Sequence, residues 1–189
     1  PHDKKSAKRF KKCLSLYFQF KKKGDQGSSL EKKYVYFIER RAKDFSPTLM
    51  LHFISKSWKK SHLPVAVYSS LAFLDKYPYH SSYPQVLYDL GRLYEDMVDY
   101  KASLSIFEEA VPKLKGTKYY ELALYRRAWL AYLGAHDKGL SYFKKYLKEY
   151  PDGRFADSAA YYEILLQEKL ATPGVRKSLQ KKVSSYLVK

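Results

Sequence analysis

The chain is short of cysteine, glycine, proline and long apolar runs, and each shortage excludes something. A single cysteine, Cys13, among 189 residues rules out an intrachain disulfide and any cysteine-based metal cluster. Compartment therefore cannot be read from cysteine. Cys13 follows Phe10-Lys11-Lys12, which is unlike a lipoprotein cleavage site. With only 8 Gly and 8 Pro, the chain lacks the turn material of an all-β protein. No run approaches the ~18 apolar residues of a membrane span. The first residue is Pro1 rather than Met, and a leader or a further domain ahead of it is expected.

The five histidines, His2, His52, His62, His80 and His136, are scattered. None stands with a second histidine or a carboxylate at metal-ligand spacing. His52 falls in an apolar helical stretch and reads as a core or interface residue; Asp137 reads as a cap on the helix after it. Gly24-Asp25-Gln26-Gly27 lacks the Lys-Ser/Thr ending of a phosphate loop. Glu95-Asp96 and Glu108-Glu109 read as solvent-face acids. The reading is no catalytic residue, no metal, no cofactor and no small-molecule substrate, hence no enzyme.

Apolar residues make up 46% of the chain and charged residues 29%, a composition that folds rather than stays disordered. The 20 tyrosines have a flat apolar body and a polar tip, suited to half-buried helix surfaces and binding grooves. The net charge of +17 is unevenly placed, with +10 in residues 1–43, +1 in 44–168 and +6 in 169–189. Lys8, Arg9, Lys11, Lys12, Lys21, Lys22, Lys23, Arg40 and Arg41 at one end, with Lys177, Lys181 and Lys182 at the other, form a candidate basic patch.

Helical periodicity organises the whole chain. Residues 1–44 read as a basic hairpin of helices, with Ala7, Phe10, Leu14, Tyr17 and Phe18 on one face. Ser28 and Glu31 stand at capping-box spacing before a second face of Leu30, Tyr34, Phe37 and Ile38. Either this hairpin caps the fold with its lysines in water, or it is a basic amphipathic surface for a membrane or an anionic polymer. Residues 171–189 read as a closing helix, with Thr172 as N-cap, Pro173 in the first turn and Val175, Leu179, Val183, Tyr186 and Leu187 on one face. Between the two, helix-sized stretches are expected over 47–59, 63–76, 83–98, 100–113, 118–133 and 137–149, and another opens with Ala156, Ala159 and Ala160. The endings "AFLDKYP" at 72–78, "EEAVPKL" at 108–114 and "KYLKEYP" at 145–151 mark a repeat of helix, turn, helix, turn. Matching Met50, Leu87, Tyr125 and Tyr161 gives spacings of 37, 38 and 36 residues.

At these residues the sequence resembles the tetratricopeptide repeat. The resemblance rests on Leu87, Leu90, Gly91, Tyr94, Phe107 and Ala110, with Ser103 in a small-residue position. It continues with Tyr125, Ala128, Tyr132, Phe143 and Pro151, and more weakly with Met50, Phe53, Ile54, Ala66 and Pro78. Trp129 replaces the pattern's glycine and Gly139 its alanine. Repeats are placed at 45–80, 82–115, 117–152 and 154–170. The resemblance implies an all-α fold, antiparallel helical hairpins stacked as a right-handed superhelix of about eight to ten helices. Small residues at the crossings bring helices close, and Phe107 and Phe143 fill the space between them. The junction "YPDGRFADSA" resembles repeats of periplasmic bacterial envelope proteins of outer-membrane assembly and Tol-Pal cell division.

What the resemblance implies for function is a non-catalytic scaffold for a protein or peptide partner, periplasmic or envelope-associated, with a cytoplasmic location as the alternative. The family's groove positions map onto Leu51, Ser55 and Trp58, then Gln85, Tyr88, Arg92 and Glu95, then Arg126, Leu130 and Leu133, then Tyr162 and Leu166. Trp58, Tyr88, Arg92, Arg126, Leu130 and Tyr162 are the partner-binding candidates. Leu51 and Ser55 replace the first residues of the carboxylate clamp found in some chaperone cofactors, so that ligand class is not expected. Two other functions stay open: a binder of nucleic acid or another polyanion through the basic ends, and the helical arm of a larger envelope enzyme. Oligomeric state is left open.

Overall fold

Ser46 stands in extended backbone ahead of Pro47, and its hydroxyl accepts the Leu49 amide at 3.3 Å. That is a helix N-cap followed by the one position where proline is at home in a helix. In a computed structural model describing residues 46–134 and 138–170, seven helices follow: α1 (Pro47–Lys59), α2 (Leu63–Lys76), α3 (Tyr83–Asp96), α4 (Tyr100–Leu114), α5 (Tyr120–Leu133), α6 (Gly139–Glu149) and α7 (Ala156–Leu170). Pro64 and Pro84 open α2 and α3 as Pro47 opens α1, and Asp99 caps α4 by accepting the Ala102 amide at 3.0 Å. The described residues are all-α, with no strand. The hairpin expected over 1–44, the closing helix over 171–189, the whole basic patch and Asp137 lie outside the described residues.

The chain divides between Met97 and Val98 into two compact units. In the first, α1 packs on α2 and α2 on α3, around Met50, Ile54, Phe73 and Val86. In the second, α4 packs on α5, α5 on α6 and α6 on α7.

The repeat is written in backbone hydrogen bonds. At the end of each first helix, the amides of Lys60, Met97 and Gly134 donate to Lys56, Leu93 and Leu130, 37 residues apart each time. After each second helix, the amides of His80, Thr117 and Gly153 donate to the carbonyls of Tyr77, Leu114 and Tyr150. Those of Tyr83, Tyr120 and Ala156 then donate to His80, Thr117 and Gly153, at spacings of 37 and 36. Tyr77 and Tyr150 leave the helix in nearly the same way, at φ −124°, ψ 57° and φ −136°, ψ 68°, and the proline that follows each disfavours the helical region there.

This ladder corrects one register. It aligns Leu87 with Leu124, not with Tyr125, so Gly91 matches Ala128 rather than Trp129. Leu87 and Leu124 are both buried, at 6% and 0% exposure. Matching Tyr125 by its size inserted a residue that the turn does not contain. The second-helix columns fall in the same register, and Ala66, Ser103, Ser70, Phe107, Phe143, Phe73, Ala110 and Tyr146 have no exposed surface. Large and small alternate in two pairs, Ser70 with Phe73 and Phe107 with Ala110, keeping volume constant. The third pair, Phe143 with Tyr146, is large twice, and two glycines lie beside it.

Gly139, buried at the start of α6, occupies the column of Ala66 and Ser103. A Cβ there would meet Leu166 Cδ1 at 3.4 Å and the backbone of Ala131 and Tyr132 at 3.5–3.6 Å, ordinary contact distances. Gly139→Ala is therefore expected to raise stability by about 0.4–1 kcal/mol, through the unfolded chain's lost freedom. A urea titration checks it; a loss of stability would show that α6 sits closer to α5 than these distances allow.

Candidate functional site

The six groove candidates fall three in each unit. In the first unit, the Trp58 indole N–H donates to Asp96 Oδ2 at 2.6 Å, tying the end of α1 to the end of α3. Tyr88 is buried, at 8% exposure, and Arg92 Nε faces Glu95 at 3.7 Å. In the second unit, Arg126 is half-buried. Leu130 is core, at 1% exposure; the corrected register moves it off the groove face. Tyr162 packs internally, its ring 5.6 Å from Phe143 and 4.8 Å from Tyr132. His52, expected in a core or interface, is exposed.

The same register brings forward Tyr125, Trp129 and Tyr132, one helical face of α5 and all half-buried. Tyr125 stacks on Phe155 at 4.3 Å and 12°. Tyr132 leans on Tyr162, and Trp129 lies between the two along the helix.

The Asp89 carboxyl, on α3, is pushed well up, to about 6, by burial that its hydrogen bond with Gln85 and the Arg92 charge only partly offset. An acid raised in the folded chain binds its proton more tightly there than when unfolded. It therefore stabilises below pH ~4, and that stability is lost as pH rises through ~6. Asp89→Asn should raise stability at pH 7 by roughly 1 kcal/mol after solvent screening and flatten the pH 4–6 slope. Thermal melts at pH 4 and pH 7 read both; an unchanged slope would rule out Asp89 as its source.

The second unit holds a cavity of about 470 Å³ lined by Glu108, Val111, Pro112 and Lys115 from α4 and its end, Tyr120 and Arg127 from α5, and Lys145 and Glu149 from α6. Pro112 continues α4 without an N–H, so the Glu108 carbonyl loses its usual helical donor. Arg127 is 7% exposed, and its guanidinium lies 4.0 Å from the centre of the Tyr142 ring, a cation–π contact on one face. Its Nε and Nη2 are buried without a hydrogen-bond partner.

The neighbouring carboxylates are engaged elsewhere. Glu108 accepts from Tyr142 Oη at 2.5 Å and from Lys138 Nζ at 3.2 Å. Burial pushes the Glu108 carboxyl up, but those two donors outweigh it and hold it below its ordinary value. Glu149 accepts from Tyr120 Oη at 2.8 Å and faces Lys145 Nζ at 3.8 Å. Burial, then the bond to its glutamate, pushes the hydroxyls of Tyr142 and Tyr120 up to about 12. Burial draws the Arg127 guanidinium down from its usual value, against the pull of Tyr142 and the two glutamates; it remains a cation at any physiological pH. The arrangement offers a charged, preformed donor edge in a partly apolar cavity.

No protein-family model and no curated protein sequence matches the chain. No described helix is long and apolar enough to cross a membrane. Among the described residues, no group of three or more His, Cys, Asp or Glu could hold a metal ion.

Sequence reasoning passed over Arg127. The signal was present: Leu124, Arg127 and Ala131 stand at core spacing on α5, and a cation in that row should have been asked for its partner.

Proposed function

We propose that this chain is a non-catalytic helical-repeat scaffold, of the kind it resembles in the tetratricopeptide family, that docks a protein or peptide partner. The observation that carries the reading is the α5 row of Tyr125, Trp129 and Tyr132, three large rings left half-buried on one helix face. Phe155 and Tyr162 already hold the outer two, so little ordering cost remains when a partner covers them. Aromatic anchors of this sort dominate protein interfaces. The turn ladder, repeated at 37 and 36 residues, supports the repeat itself. The likeness of "YPDGRFADSA" to envelope proteins supports a periplasmic or envelope setting, with the cytoplasm as the alternative.

Trp129→Ala should weaken capture of the partner, by crosslinked pull-down from the native host, at least about tenfold. Arg126→Ala on the neighbouring face should leave capture near wild-type, and circular dichroism should show both variants equally helical. Undiminished capture by Trp129→Ala would rule out this face.

The charges of +10 and +6 at the two ends favour a second reading, polyanion binding. Salt separates the two readings within the same assay. Phosphate-driven binding falls with a log–log slope near −0.9 per neutralised phosphate, whereas aromatic docking responds far less.

A further inference from the structure

We propose that the cavity between α4, α5 and α6 is a binding site for a single carboxylate group, accepted side-on by Nε and Nη2 of Arg127. These two nitrogens present parallel N–H bonds along one edge of the guanidinium, the edge that matches the two oxygens of a carboxylate. They are also the two that are buried and unpartnered. The face of the same group is satisfied by Tyr142 at 4.0 Å; the edge is not. Leaving a charged donor buried and unpaired is costly, and the nearest internal acceptors do not relieve it. Glu108 is held by Tyr142 and Lys138, and Glu149 by Tyr120.

Three further observations bear on the ligand. Arg127, Lys115 and Lys145 outnumber Glu108 and Glu149 in the cavity lining, and Lys138 lies on Glu108 at 3.2 Å, so the surroundings favour an anion. Val111 and Pro112 supply apolar wall, so the carboxylate is one borne on an apolar body, and 470 Å³ lies within the ~300–1,000 Å³ of ordinary ligand sites. The turn ladder places Arg127 in the slot that Leu90 fills at 1% exposure. A leucine there would serve packing better, so the arginine is held at a cost to stability. The inference is independent of the α5 aromatic row: a partner can dock there with this cavity empty, and the reverse.

The test uses the full chain with 15N-labelled arginine and follows the Arg127 Nε–H resonance. The probes are N-acetyl-leucine, N-acetyl-leucinamide, inorganic phosphate and a pentapeptide with a free leucine C-terminus. N-acetyl-leucine should shift that resonance saturably, and the amide, its uncharged twin, should not. A pentapeptide binding about tenfold tighter would assign the carboxylate to a peptide terminus; equal binding would assign it to a small organic acid. Arg127→Leu should melt at a higher temperature yet lose binding by calorimetry at least about tenfold, and Arg127→Lys, without the fork, should lose as much. The proposal is overturned by no saturable shift with either carboxylate, by an equal shift with the amide, by tighter binding of phosphate, or by a folded Arg127→Leu that still binds.

Discussion

Phe143→Ala should remove about 3–5 kcal/mol of stability, the cost of emptying a buried aromatic site that cannot fully collapse. Phe143 has no exposed surface. It meets Tyr125 edge-on at 6.4 Å and stacks near Tyr162 at 5.6 Å, so one ring joins α5, α6 and α7. Helix α6 has 11 residues and buries only three of them, Gly139, Phe143 and Tyr146. Without Phe143 it keeps one large anchor. Thermal unfolding should move down by more than about 10 °C, and the denaturant midpoint should fall with little change in slope. A loss below ~1 kcal/mol would mean that the three helices do not share this ring.

Gly153→Ala should cost about 1–3 kcal/mol, as overpacking does when nothing nearby can yield. An added Cβ would lie 2.7 Å from Glu121 Oε1, 2.7 Å from Tyr146 Oη and 2.7 Å from Tyr150 Cβ. The first two form a network. Tyr146 Oη donates to Glu121 at 2.8 Å and accepts the Phe155 amide at 3.0 Å, and Glu121 also accepts the Arg154 amide at 2.8 Å. Burial, and the hydrogen bond and charge of Glu121, push the Tyr146 hydroxyl well above its usual value, although the Phe155 amide draws it down.

The other two turns show why glycine stands here. His80 Nδ1 accepts the Ser82 amide at 3.1 Å, and Thr117 Oγ1 accepts the Tyr119 amide at 3.3 Å. Each turn residue thus satisfies the amide two places on. In the third turn that amide belongs to Phe155 and is satisfied by Tyr146, which needs the space a side chain at 153 would take. Tyr146→Phe should therefore also be destabilising, by about 1–3 kcal/mol, since it leaves two partners short. The double variant should cost less than the sum, because both changes break one network. Chemical denaturation of the three variants decides; a neutral Gly153→Ala would show that the turn does not need this close approach.

Helix placement was legible because its signals are local. Pro47, Pro64 and Pro84 mark first turns, and Tyr77-Pro78 and Tyr150-Pro151 mark ends. Differences are confined to a residue or two: α3 stops at Asp96, and α5 starts at Tyr120 because Thr117 still belongs to the turn. The register of α5 was misread for a physical reason that also hid the cavity. Where the second repeat has Leu90-Gly91, the third has Arg127-Ala128, and a cation in a core slot breaks the pattern that aligns repeats. Sliding by one residue restored a large residue at Tyr125 and sent Leu130 to the groove face. The Glu121–Tyr146–Phe155 network was invisible because its partners lie 25 and 9 residues apart along the chain, and no local signal marks such pairs.

Photo-crosslinking from α5 in the native cells reads the scaffold function most directly. Benzoylphenylalanine replacing Trp129 in the full chain should give one discrete adduct with a polypeptide partner, and the same residue replacing exposed Lys144 should give none. No adduct from position 129, or the same adducts from both positions, would contradict a docking face on this helix.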